Sequence, residues 1–359
     1  CRRDAFMQQE QIQWEANVWY LERLHLGKHR IDESKSLISI SFMEVKEIQN
    51  REILQAYMKY ELGITGQAVS TIVRRFVCIR NFIELLEQEK ILAIHATVAE
   101  VKKYADGLRE RGIQAKGFNE RIFGIGHFYK FMEVKQYITR MPFRIEYFQQ
   151  KEVIVHHDRS VEETVYMEIL KKLYLFPERL RCMFLHLWCL GLRASEVCTL
   201  KGNAYYQQGE DCWIQVYQVK MKNYKRVPIP KALYQLMKIY LKKNEIQPEE
   251  FIFQNAKGGA CLYGTFRQQM LRACRENGIA NGEYIFRSHD YRHTVATMFY
   301  DNKVSLQSIR DYLGHTYEEM TRQYIDFMPK KIAQANEEFF STQESSLASW
   351  LRKGEQDAK

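Results

Sequence analysis

Only one stretch of this chain alternates clearly in the way a β-strand requires: CWIQVYQVKMKNYKRVPIP, residues 212–230. Trp213, Gln215, Tyr217 and Val219 fall on one face, with Ile214, Val216 and Gln218 on the other. Asn223-Tyr224 is placed to turn the chain back into a second strand. Elsewhere the apolar residues recur at helical spacing. In VSTIVRRFVCIRNFIELLEQ, Val69, Ile72, Val73, Phe76, Ile79, Phe82, Ile83 and Leu86 form a stripe, and Arg74, Arg75 and Arg80 fall mostly off it. Two further amphipathic segments, VAEVKKYADGLRERG and GFNERIFGIGHFYKFM, are separated by Gly112 and Gly117. A chain with this little strand is expected to be mainly α with a small antiparallel β-sheet, an α+β protein.

The 359 residues suffice for two domains. Residues 1–45 are mixed in character, with Trp14, Trp19 and Tyr20 near the start, and form an N-terminal extension. Residues 46–135 read as a basic helical domain. Residues 136–159 contain Pro142 and two adjacent histidines but little periodicity, and read as a linker. Ser160-Val-Glu-Glu163 fits a capping box that opens a second domain, 160–330. The tail, 331–359, carries Phe340, Leu347, Trp350 and Leu351 at helical spacing.

The net charge of +9 and pI near 9.0 favour a polyanionic partner, nucleic acid first. The longest apolar run, Cys182 to Leu192, suits a buried helix and is too short to span a membrane. None of the eight cysteines forms a CxxC pair, which argues against a zinc ribbon and for core thiols in a reducing compartment. The start of the chain has no apolar stretch of signal-peptide length. A Walker-type glycine loop and a cluster of acidic metal ligands are both missing, so no cofactor is expected.

Several motifs in the second domain carry chemistry. In GLRASEVCTL, Arg193 follows the apolar run and a glycine, and Glu196 lies three residues on, where it can orient the guanidinium or simply form a surface pair. The hairpin offers Lys220, Lys222, Lys225 and Arg226, which suit a phosphate backbone or a solvated sheet edge equally well. In SHDYRHTVATMFY, His289 and His293 have the spacing of a helical zinc pair, with Asp290 where HExxH has its glutamate, but no third ligand is evident nearby. His289 and Arg292 share a helical face and suit a phosphoryl group. Leu313-Gly314 ends a helix with glycine as its left-handed cap, and His315 follows. Tyr324 lies nine residues further on.

In this order, GLRASE, VKMKNYKRVPIP, HDYRH, LGH and TRQYI resemble the tyrosine recombinase, or phage-integrase, family. The resemblance covers about 160–330 and extends more weakly to the helical unit, which is similar to that family's core-DNA-binding domain. It implies a C-shaped clamp on double-stranded DNA, with Arg74, Arg75, Arg80, Lys222, Lys225 and Arg226 as candidate DNA contacts. It implies a catalytic set of Arg193, Lys220, His289, Arg292, His315 and Tyr324, with Lys222 a rival to Lys220. Tyr324 would attack the scissile phosphodiester and form a 3′-phosphotyrosyl link, without metal or ATP. The expected role is integration, excision or transposition of a mobile element. A chromosome- or plasmid-dimer resolvase, a type IB topoisomerase and a non-catalytic regulator are the alternatives. The resemblance also implies a tetramer on two DNA sites, a tail docked on a neighbouring subunit, accessory DNA-binding proteins as further candidate partners, and a cytoplasmic, nucleoid-associated protein of a prokaryote. Residues 1–45 would be an arm-type DNA-binding element or a helical extension.

Overall fold

The structure, a computed structural model, describes residues 14–36, 39–153, 159–218 and 221–315 together with Thr321. The chain divides near residue 154 into two compact units. Among the described residues no helix is long and apolar enough to cross a membrane.

The first unit opens with a two-stranded ribbon. β1 (Val18–Tyr20) pairs antiparallel with β2 (Ser39–Ser41), Trp19 opposite Ile40. Four helices follow: α1 (Ile48–Ile64), α2 (Val69–Gln88), α3 (Val98–Glu110) and α4 (Ala115–Val134). The stripe expected on α2 is the face it buries, from Val69 and Ile72 through Phe76, Ile79, Phe82 and Ile83 to Leu86. α3 is started by a capping box, in which Ala99 N donates to Thr97 Oγ1 at 3.2 Å and Thr97 N donates to Glu100 Oε2 at 2.6 Å. Such a cap is worth about 1 kcal/mol.

The ribbon shares the helices' core. Trp19 is fully buried, 4.7 Å from the Phe42 ring, and Phe42 lies 5.1 Å from Phe76. Residues 136–153, expected as linker, also pack onto this unit. Phe143 and Phe148 are buried in its core, and Asn119 exchanges two 2.9 Å hydrogen bonds with the backbone of Gln150. Burying each ring contributes about 1.5–3 kcal/mol, which outweighs the lack of periodicity that suggested a linker.

The second unit is mainly helical around one small sheet. Its helices are α5 (Glu163–Lys172), α6 (Glu178–Leu190), α7 (Ala194–Cys198), α8 (Lys231–Lys243), α9 (Tyr263–Glu276), α10 (Ser288–Asp301) and α11 (Leu306–Leu313). The sheet has the order β3 (Tyr205–Gln208), β4 (Asp211–Gln218), β5 (Asn223–Pro228), and β3 pairs antiparallel with β4. The expected capping box at Ser160 does not form. α5 begins at Glu163, while Ser160 Oγ meets Thr297 Oγ1 at 3.3 Å and Val161 N donates to Thr294 Oγ1 at 2.9 Å, tying this segment to α10. The hairpin also turns earlier than expected: Asn223 already starts β5, and Lys222 takes the left-handed position at φ +53°.

β4 buries Cys212, Ile214, Val216 and Gln218, and β5 buries Lys225 and Val227, so the apolar residues set the phase and two polar ones share it. The apolar members pack with α6 (Leu180, Met183, Leu187), α9 (Phe266, Met270) and Tyr291 of α10.

Candidate active site

The buried helix α6 stops at Gly191, at φ +59°. A Cβ there would also lie 3.2 Å from Leu313 Cδ2 and Val295 Cβ, so glycine is favoured by conformation and also relieves a tight contact. The chain then turns through buried Leu192 and presents Arg193 at the N-cap of α7. Glu196, in the first turn, folds back on it: Arg193 N donates to Oε2 at 2.9 Å and Arg193 Nη1 to Oε1 at 2.8 Å. This is no surface pair, since the Glu196 side chain is 2% exposed. From the sheet, Gln218 Nε2 donates to Glu196 Oε1 at 3.1 Å, and Lys225 Nζ lies 3.4 Å from Oε2.

Arg292, fully buried on α10, forms the second half. Its Nη1 donates to Gly191 O at 2.8 Å and its Nη2 to Leu313 O at 2.5 Å. Leu313 ends α11, whose cap Gly314 has φ +70° and abuts the Gln218 side chain. His315 comes next, with Nε2 2.9 Å from Arg292 Nη2 and Nδ1 3.0 Å from Thr321 Oγ1. An arginine can only donate, so Nε2 accepts, and a neutral His315 then carries its proton on Nδ1, facing the threonine. His289 sits one turn before Arg292 on α10, its ring 5.5 Å from that of His293 in an edge-on arrangement. Among the described residues no group of three or more His, Cys, Asp and Glu could hold a metal ion.

The cations outnumber the anion they surround. Burial pushes the Glu196 carboxyl up, but Lys225, Arg292, Arg193 and the Arg193 amide outweigh it and hold it at about 2. Burial lowers Lys225 to about 8, and the two guanidiniums beside it offset part of what Glu196 restores. Burial, then His293, Arg292 and Arg193, lowers His289 to about 4. Burial, then Arg292, Arg193 and Lys225, lowers His315 to about 2. Both imidazoles are therefore neutral at pH 7. The cluster holds two fixed guanidiniums, an ammonium and one carboxylate, a surplus of positive charge that suits an anionic group.

Of the expected catalytic residues, Arg193, His289, Arg292 and His315 come together here; Lys220 and Tyr324 lie outside the described residues, as does the tail at 331–359. Lys225, expected as a DNA contact, is corrected: it is buried and faces Glu196. The signal was in the sequence, because Lys225 shares strand parity with the apolar Val227 and Ile229. Gln218 shares parity with Ile214 and Val216 in the same way. Lys222 and Arg226 are exposed on the hairpin. In the first unit Arg75 is also corrected as a DNA contact: it is 14% exposed and bonded to Glu61 at 3.0 Å. Arg80 sits between Glu44 and Glu84, and Arg74, 67% exposed, reaches Glu120 at 3.6 Å.

The sequence model of the Phage integrase family matches residues 159–330, the stretch that holds this cluster. Transposase B from transposon Tn554 of Staphylococcus aureus is 26% identical over 322 residues, covering 87% of this chain and 51% of that protein. The chain thus spans about half the length of the transposases it matches. The tyrosine recombinase XerC of Anoxybacillus flavithermus is 23% identical over 257 residues, 68% of this chain and 83% of that protein. The fold is that of the XerH site-specific recombinase, solved bound to its palindromic difH substrate, with a TM-score of 0.58 at 15% identity over 83% of this chain and 91% of that one. It is likewise that of the Tn1549 transposon integrase, solved with circular intermediate DNA, with a TM-score of 0.55 at 16% identity over 79% and 98%. The ordered motifs, the arginine–histidine cluster they build and the matched domain place residues 159–330 in the phage integrase family, and most of the chain shares the fold of solved site-specific recombinases and integrases.

Proposed function

We propose that this protein is a site-specific DNA recombinase that cuts and rejoins strands through a 3′-phosphotyrosyl intermediate at Tyr324, serving the movement of a mobile element. The observation that carries the reading is the over-cationic cluster of Arg193, Lys225, Arg292 and the neutral His289 and His315 around a single buried carboxylate. A phosphodiester brings one negative charge and its transition state more, and fixed guanidiniums meet that charge without reorganising. One charge pair at about 4 Å is worth roughly 4 kcal/mol at the effective dielectric of a protein surface. The Tyr324 hydroxyl gives its proton to a neutral imidazole of the cluster as its oxygen attacks phosphorus, the bond to the 5′-oxygen breaks, and the leaving oxygen takes a proton, assigned to the hairpin lysine Lys220. A second 5′-hydroxyl reverses the step, so the bond energy is kept and no ATP is consumed. The likeness to transposase B favours a transposon over dimer resolution, although the XerC likeness keeps resolution as the second reading.

In this reading the first unit and the second bind the duplex together, the protein acts as a tetramer on two sites, and residues 331–359 dock on a neighbouring subunit. Exposed Lys222, Arg226 and Arg74 contribute phosphate contacts. The test is a nicked duplex carrying the element's own end, incubated with the protein and EDTA. A covalent protein–DNA band that disappears in Tyr324→Phe is expected. A band that persists in that variant refutes the nucleophile, and no band despite intact binding refutes the recombinase reading.

A further inference from the structure

We propose that Lys225 is a positioning residue for strand cleavage: its ammonium ties the Glu196 carboxylate, which holds Arg193, to the Leu313 carbonyl, which holds Arg292 and leads into His315. This rests on the recombinase reading and adds to it a role for a residue other than the hairpin-tip lysines. The two arginines come from different elements. Arg193 belongs to the start of α7 and Arg292 to the middle of α10. Glu196 holds Arg193, while Arg292 rests on Leu313 O and on Gly191 O, two residues before Arg193. Lys225 reaches two of these acceptors, lying 3.4 Å from Glu196 Oε2 and donating to Leu313 O at 3.3 Å. Its side chain is 7% exposed and points inward because β5 alternates, so it is not presented to solvent as Lys222 and Arg226 are.

The groups facing Lys225 are Glu196 and Arg193 from α7 and its cap, Arg292 from α10, and His315 after α11. A buried ammonium among guanidiniums is a costly way to fill space. Its position accounts for that cost, because the ammonium joins Glu196 to the Leu313 carbonyl and so fixes, together with the Arg292–Gly191 bond, the spacing of the two anion-binding forks. Misplacing one fork by about an ångström costs up to roughly a hundredfold in rate.

The experiment is single-turnover cleavage of the nicked duplex at saturating protein, with duplex affinity and melting temperature measured alongside. Lys225→Met, close in shape but uncharged, is expected to slow cleavage at least tenfold while duplex affinity stays within threefold. The double variant with Glu196→Gln is expected to be no slower than the slower single, because the two act as one unit. Lysine loses its charge as pH rises through about 8, so wild-type cleavage falls there, whereas Lys225→Arg, charged beyond that range, moves this limb upward. Lys225→Met cleaving within twofold of wild type, or losses that multiply in the double variant, would overturn the proposal. Should Lys225→Met melt below the assay temperature, the pH limb decides: unmoved in Lys225→Arg, it refutes the role. A wild-type protein that forms no adduct sinks the recombinase reading itself, a result distinct from wild-type cleavage that Lys225→Met leaves untouched.

Discussion

Replacing Glu196 by glutamine tests the electrostatic core of the site. The wild-type carboxyl, ordinarily near 4.5, is held at about 2 in the folded protein. The pull of Lys225, Arg292, Arg193 and the Arg193 amide, net of the opposing burial, therefore favours the ionised form by about 3 kcal/mol of folding free energy. The sign follows from the depressed value. The contribution is fully present above the unfolded pKa and is lost as pH falls from about 4.5 toward about 2. Glutamine cannot supply it at any pH, and its amide adds a donor beside donors. Urea unfolding of both proteins between pH 7 and pH 3 should show the variant less stable by about 3 kcal/mol at neutral pH. That gap should shrink to less than half near pH 3, where the wild-type carboxylate is being protonated in the unfolded chain. A gap that does not change with pH, or one below about 1 kcal/mol at pH 7, would refute the convergence of three cations on this carboxylate.

Three further outcomes are expected. Tyr324→Phe should bind its duplex with unchanged affinity in an anisotropy titration and form no adduct on a denaturing gel. Gly191→Ala should cost about 1–3 kcal/mol in urea unfolding, because Gly191 sits at φ +59° with Val295 and Leu313 already at 3.2 Å from the new carbon; a neutral result would mean that α10 and α11 yield freely there. His289, lowered to about 4 chiefly by burial, should show no imidazole titration by NMR between pH 5.5 and 7.5. A midpoint near 6.5 would place that ring in solvent instead.

The helices were legible because burial imposes a period, and the stripe from Val69 to Leu86 is the face α2 buries. Arg193, His289, Arg292 and His315 were legible because they follow motifs in fixed order. What escaped depended on position in three dimensions. Residues 136–153 lack a period, yet Phe143 and Phe148 hold them to a core that no local pattern announces. Ser160 had the sequence of a cap but found Thr297 and a neighbouring helix instead. Lys225 was grouped with the hairpin's exposed cations by its charge and its neighbours in the chain. A strand assigns faces by parity rather than by charge, and with Val227 and Ile229 inward, Lys225 had to be inward too. Its burial is tolerable only where an anion already waits, and Glu196 is that anion, supplied by the same motif that supplies Arg193. Gln218 obeys the same rule. A buried polar residue in an apolar phase of a strand points to the partner that makes its burial tolerable, and here both such residues point to Glu196.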